Sequence, residues 1–242
     1  MQGFLVAKRS AAGRIAAKRI TGACVPGGAA IKRAAAAFAT AAALLLSGSL
    51  QAAAQITLVA FGDSLTAGYN LPQGDGFAPQ LETWLREQGV AEVTVVNAGV
   101  SGDTTTGGLA RLEWTLPPET DAVILELGGN DLLRGIPPEL TRQNLDEMMR
   151  ILGEKEIPVL LAGIRAFGNY GDDYRQAFNA TYPMLARKHD ALLYPSFLEA
   201  LGSDPDLFLP NDFHPNAKGV RVLVEDIGPM VLDLIETARP EG

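Results

Sequence analysis

The stretch Ile56-Thr57-Leu58-Val59-Ala60-Phe61-Gly62-Asp63-Ser64-Leu65-Thr66 decides the fold class. Its first six residues are apolar apart from Thr57, half are β-branched, and they show no polar alternation. A strand of that kind is covered on both faces. Strands buried on both faces belong to parallel sheets, whose connections are helical crossovers. Gly62 ends the run, and a polar turn follows at once.

Outward from this stretch the same alternation recurs. Phe77, Leu81, Trp84 and Leu85 fall at helical spacing over residues 77–88, closed by Gly89. Val93-Thr94-Val95-Val96 predicts a second strand, ending at Asn97-Ala98-Gly99, and a short helix follows over 104–114. Residues 122–127 predict a third strand, 138–152 a helix, 158–162 a fourth strand, 174–188 a helix, 191–194 a fifth strand and 217–237 a closing helix. The expected architecture is α/β: a doubly wound, five-stranded parallel sheet between two helical layers. Ligands of such sheets bind beyond the carboxyl ends of the strands, which says where chemistry should lie.

Upstream, residues 1–54 differ in character. Seven of the chain's 20 basic residues, its one cysteine (Cys24) and none of its 28 acidic residues lie there. Lys32 and Arg33 precede an Ala- and Leu-rich run from Ala34 to Leu46, and small residues end at Ala52-Ala53-Ala54. This is the order of a secretory signal, with a run too short to span a bilayer. Residues 1–54 are therefore expected to be a cleaved leader, residues 55–242 an exported, periplasmic or secreted domain without stable membrane insertion. The whole chain carries a formal charge of −8; without the leader 188 residues remain at −15, with no thiol to mispair in an oxidising compartment. Such acidity argues against nucleic-acid partners. One cysteine excludes a disulfide framework and a cysteine-based zinc site. No metal is expected, and with neither a Gly-x-Gly-x-x-Gly nor a Walker loop no nucleotide cofactor is implied.

Four expected strand-end loops hold the parts of a nucleophilic site. Ser64 follows strand one, Gly102 lies in Ser101-Gly102-Asp103-Thr104 after strand two, Asn130 in Gly128-Gly129-Asn130-Asp131 after strand three, and His214 in Asn211-Asp212-Phe213-His214-Pro215 before the last helix. A serine needs a base, usually histidine, and the histidine works best when a carboxylate fixes its tautomer. The oxyanion formed by attack on an ester needs preorganised donors, which glycine-loop N–H groups and an asparagine amide supply. His189, in Arg187-Lys188-His189-Asp190, reads as a polar helix end where a cation is favourable.

The ordered blocks Gly62-Asp63-Ser64-Leu65, Gly102, Gly129-Asn130-Asp131 and His214 resemble the SGNH or GDSL hydrolases. The stretches 97–105 and 128–135 resemble the bacterial arylesterase and thioesterase/lysophospholipase branch, and the likeness covers residues 56–237. It implies a flavodoxin-like, metal-free hydrolase with Ser64 as nucleophile, His214 as base, and an oxyanion hole made by the Ser64 N–H, the Gly102 N–H and the Asn130 side chain. The family usually has Asp three residues before the histidine. That position is Asn211 here, and Asp212 is the nearby acid. Asp212 is favoured as the third member, since residues two apart in extended chain face one side; Asn211 is the alternative.

Asp63, Thr104, Phe167 and Tyr170 are expected substrate contacts, with Phe167 and Tyr170 lining an acyl or aryl groove and Arg134 and Arg165 offering single polar contacts. The expected activity is hydrolysis of small carboxylic esters, and of thioesters or lysophospholipids, by a monomeric enzyme through an acyl-enzyme. A carbohydrate O-deacetylase and a non-catalytic binding module are the alternatives.

Overall fold

The computed structural model describes residues 55–166, 170–210 and 212–239. The expected leader therefore lies outside the described residues, as do Phe167 and Asn211.

Five strands form one sheet: β1 (Ile56–Gly62), β2 (Val93–Gly99), β3 (Ala122–Glu126), β4 (Val159–Ala162) and β5 (Leu192–Tyr194). Their order is β2-β1-β3-β4-β5 and every pairing is parallel. All seven residues of β1 are buried, as its unbroken apolar run requires of an interior strand. β2 lies at the edge and alternates, with Val93 and Val95 inward and Thr94 and Asn97 exposed.

The main helices are α2 (Phe77–Glu87), α3 (Thr105–Thr115), α5 (Pro138–Glu154), α6 (Asp172–Lys188) and α7 (Ala217–Ala238); two short ones, α1 (Ser64–Ala67) and α4 (Gly129–Leu133), sit directly after β1 and β3. α2 packs on α7, and α5 packs on both α3 and α6. Three of these helices bury an apolar stripe at helical spacing: Phe77, Leu81 and Leu85 of α2, Leu145, Met149 and Leu152 of α5, and Val220, Leu223, Val224, Ile227, Val231 and Leu234 of α7. Burying a side chain of this size contributes about 1.5–3 kcal/mol, so the strand ends that carry the loops are firmly held. Trp84 packs flat against α7 at Gly228, where a Cβ would come within 2.4 Å of the indole.

The expected strands and main helices all form, with ends shifted by one or two residues, except that β2 runs three residues further, through Asn97-Ala98-Gly99. α1 and α4 were not foreseen. Each is too short to show a periodicity, and each begins in a segment that reads as a polar turn. The chain leaves β1 toward β2 on one side and later returns to β3 on the other. The crevice between those diverging connections is the switch point of the sheet, and α1 and α4 flank it.

Candidate active site

Ser64 is the first residue of α1. Asp63 caps that helix, its Oδ1 accepting the Leu65 N–H at 3.0 Å. Gly68, at φ +78°, closes the helix in the left-handed region and donates its N–H to the Ser64 carbonyl. The turn into α1 needs Gly62. A Cβ there would lie 2.1 Å from Thr66 Oγ1 and 2.6 Å from both the carbonyl and Oε2 of Glu126, the residue beside it in register on β3.

His214 Nε2 lies 2.8 Å from Ser64 Oγ, across 150 residues of sequence, and its Nδ1 lies 2.7 Å from Asp212 Oδ1. The same carboxylate oxygen accepts the backbone N–H of Phe213 at 2.7 Å and of His214 at 3.2 Å. The hydrogen bond from His214 holds the Asp212 carboxyl below the usual range, aided by the backbone donors. An ionised carboxylate only accepts, so Nδ1 carries the proton and Nε2 is left to accept from the serine hydroxyl. The rings of Tyr69 and Phe213 flank the imidazole, with centroids 4.5 and 4.3 Å away.

Asp212 and His214 stand in a short antiparallel turn. Phe208 and Pro215 form a bridge, the Leu209 N–H donates to the His214 carbonyl at 2.8 Å, and the Asp212 N–H donates to the Leu209 carbonyl at 3.1 Å. Asn216, the cap of α7, donates its side-chain amide to the carbonyls of Phe208 and Asp206 at 2.9 Å.

Gly102 has φ +86°, a conformation that costs glycine little. Its carbonyl accepts from Arg134 Nη2 at 2.8 Å. The next residue, Asp103, pairs with Arg111 Nε at 2.6 Å. Arg111 is buried over the Phe61 ring and also donates to the carbonyls of Ala98 and Gly62, both at 2.9 Å. One guanidinium thus ties the carboxyl ends of β1 and β2 to the Gly102 loop. Asn130, in the first turn of α4, donates an amide N–H to Asp63 Oδ2 at 3.1 Å. Its neighbour Asp131 is fully buried and accepts from the Thr105 N–H at 2.8 Å and from the hydroxyls of Thr105 and Thr141. That network locks α4 to the start of α3. Among the described residues, neither the Ser64 N–H nor the Gly102 N–H finds an acceptor.

Beside Ser64, Leu65 opens a cavity of about 960 Å³. Leu132, Leu133, Ile164, Phe197, Phe208 and Phe213 supply much of its wall, and Arg165 and Glu199 pair in it at 3.0 Å. Tyr170 lines this cavity, its hydroxyl donating to the Leu133 carbonyl at 3.0 Å.

Two expected substrate contacts are placed otherwise. Asp63 is 2% exposed and both its oxygens are taken by the protein, so it is built into the turn rather than presented to a ligand. Thr104 caps α3, its hydroxyl oxygen accepting the Gly107 N–H, and does not line the groove. Arg134, expected as a polar contact, is likewise committed to the Gly102 carbonyl. His189 caps the end of α6 and pairs with Asp146 at 2.6 Å. The buried clamps Arg111, Asp131 and Glu126 escape sequence reading. Asp131 belongs to a quoted site block but its role as a buried acceptor does not show there, while Arg111 sits in an ordinary helix and Glu126 at the end of an apolar strand. No group of three or more metal-ligating side chains is found among the described residues.

Residues 60–222 match the GDSL-like lipase/acylhydrolase family, and the chain belongs to that family of ester-hydrolysing enzymes. It is 40% identical to "Esterase TesA" of Pseudomonas aeruginosa over 201 residues, 80% of this chain and 99% of that one. It is also 40% identical to an arylesterase of Vibrio mimicus (71% and 87%) and to "Thioesterase 1/protease 1/lysophospholipase L1" of Escherichia coli (69% and 79%). Among solved structures, the SGNH-hydrolase family esterase AlinE4 superposes with a TM-score of 0.63 at 44% identity, covering 78% of this chain and 98% of that one. A TesA crystal structure gives a TM-score of 0.69 at 37% identity, covering 74% and 99%. These relatives place the protein within the family's arylesterase and thioesterase/lysophospholipase branch.

Proposed function

We propose that this chain is an exported serine esterase that cleaves neutral carboxylic esters through an acyl-enzyme on Ser64. The observation that carries the reading is the unbroken chain from Ser64 Oγ through the His214 ring to Asp212, with links of 2.8 and 2.7 Å. Ser64 Oγ attacks the ester carbonyl while its proton passes to His214 Nε2. The Asp212 carboxylate stabilises the resulting imidazolium. The oxyanion is received by the Ser64 and Gly102 N–H groups and the second amide hydrogen of Asn130, all held before substrate arrives. His214 then protonates the leaving alcohol or thiol. In the second half it takes a proton from water, which attacks the acyl carbonyl and frees Ser64.

The apolar groove beginning at Leu65 suits an acyl chain better than a sugar, which favours acyl esters over O-acetylated carbohydrate. The net charge of −15 beyond residue 54 opposes anionic surfaces and phosphate-rich substrates at low salt. Export rests on the basic, then apolar, then small-residue order of residues 32–54 and on the absence of cysteine after Cys24.

The test is covalent labelling by a fluorophosphonate probe. Wild type is labelled and hydrolyses p-nitrophenyl esters, and Ser64→Ala loses both. Failure of the folded wild-type protein to react ends the reading.

A further inference from the structure

We propose that Glu126 is a positioning residue for ester hydrolysis: its Oε2 clamps the chain on both sides of Ser64 and so sets the nucleophile against its oxyanion donors. Oε2 accepts the Asp63 N–H, just before Ser64, at 3.4 Å, and the Thr66 hydroxyl, just after it, at 2.9 Å. Glu126 is fully buried at the carboxyl end of β3, in register with Gly62. The lack of a side chain at Gly62 is what admits its carboxyl group to the turn. The clamp also reaches Asn130, because the backbone it holds is that of Asp63, whose Oδ2 receives the Asn130 amide at 3.1 Å. Glu126 touches neither Ser64 Oγ nor the oxyanion donors. It acts through Asp63 and Thr66, and the inference rests on Ser64 being the nucleophile.

The clamp works as a neutral acid. Oε1 is buried without a hydrogen-bond partner, and no cation donates to either oxygen among the described residues. An unpaired carboxylate there would cost far more than an unpaired hydroxyl. The titratable groups bearing on this pocket are Asp63 from the α1 turn and Tyr182 from α6, neither of which supplies a positive charge. Burial pushes the Glu126 carboxyl well above its ordinary range, and the nearby Asp63 pushes it further. The proton then sits on Oε1 and leaves Oε2 as the acceptor.

The experiment compares wild type, Glu126→Gln, Glu126→Ala and Thr66→Val by kcat and KM on p-nitrophenyl butyrate. It adds the infrared difference spectrum of wild type against Glu126→Gln at neutral pH. Glutamine keeps a neutral acceptor oxygen and is expected to hold kcat within about threefold, whereas alanine lowers it about 10- to 100-fold with KM little changed, the size of effect that a slightly misplaced nucleophile produces. Thr66→Val, which cuts one arm of the clamp and keeps Glu126, lowers kcat about tenfold. The infrared difference shows the carbonyl stretch of a protonated carboxylic acid. The proposal is overturned if Glu126→Gln falls as far as Glu126→Ala, if Thr66→Val keeps wild-type kcat, or if the protonated-acid band is missing. Should Glu126→Ala not fold, the other two variants and the spectrum still decide. Fluorophosphonate labelling of wild type tests Ser64 separately, so a failed nucleophile assignment and a failed clamp give different results.

Discussion

Replacing Asp212 by alanine removes the carboxylate hydrogen-bonded to the His214 ring, and its cost follows from the geometry. The Nδ1–Oδ1 distance is 2.7 Å, which sets the charge centres of an imidazolium and a carboxylate roughly 4 Å apart. At an effective dielectric of about 20 that pair interacts by about 4 kcal/mol. The imidazolium exists only during turnover, so this energy acts on the transition state rather than on substrate binding. At roughly 1.4 kcal/mol per tenfold, the full interaction corresponds to about 10³ in kcat. The Asp212 side chain is 25% exposed, and water partly replaces the lost charge. The expected loss is therefore about 10²–10³ in kcat, with KM nearly constant. Steady-state hydrolysis of a p-nitrophenyl ester series gives both constants, and Asn211→Ala measured in parallel is expected to change kcat far less. An Asp212→Ala enzyme within a few-fold of wild type, or an Asn211→Ala enzyme that loses more, refutes the assignment of the acid.

Arg111→Met strips the buried partner from Asp103 and the donors from the Ala98 and Gly62 carbonyls, and is expected to destabilise the fold by about 3–5 kcal/mol in urea unfolding. Ala166→Phe adds a ring to the groove wall and should move the preferred p-nitrophenyl ester toward shorter acyl chains, with the acetate rate least affected. Glu126 also ties stability to pH. Its folded-state pKa is raised above the ordinary 4.5, so its contribution is complete below that value and is lost as pH rises toward the folded one. The melting temperature of wild type relative to Glu126→Gln should therefore fall as pH rises above about 4.5, and a constant difference contradicts the assignment.

The sheet was legible because β1 and β4 are near-continuous apolar runs that only a two-sided core accommodates, β3 is apolar up to Glu126, and α2, α5 and α7 carry clear apolar stripes. Three of the four site blocks were legible because each falls where a strand ends, and the fourth, around His214, because it stands in a polar loop just before the last helix. What escaped reading was the support beneath them. Asp63 looks like a ligand contact in a polar loop, yet it faces inward as a helix cap, because α1 begins at the very next residue. Arg111 sits in an ordinary helix, and nothing in its neighbours reveals that its guanidinium reaches two strand ends. Glu126 interrupts an apolar strand, and its partners lie about 60 positions upstream. Side chains that act through long-range hydrogen bonds leave no local pattern, whereas strands, helices and turn glycines do.

The hairpin carrying Asp212 and His214 closes on itself through its own backbone bonds and the Asn216 cap. Acid and base are therefore aligned locally, by a loop of a few residues with little closure entropy. The Nε2 contact to Ser64, with the Tyr69 ring beside the imidazole, joins this cassette to the nucleophile half of the molecule. The spacing of acid and histidine inside the cassette can thus vary without disturbing the sheet, provided the ring still reaches the serine. The segment from Phe208 to Asn216 is accordingly a natural unit for exchange between related esterases: transplanted whole, it carries its own alignment with it.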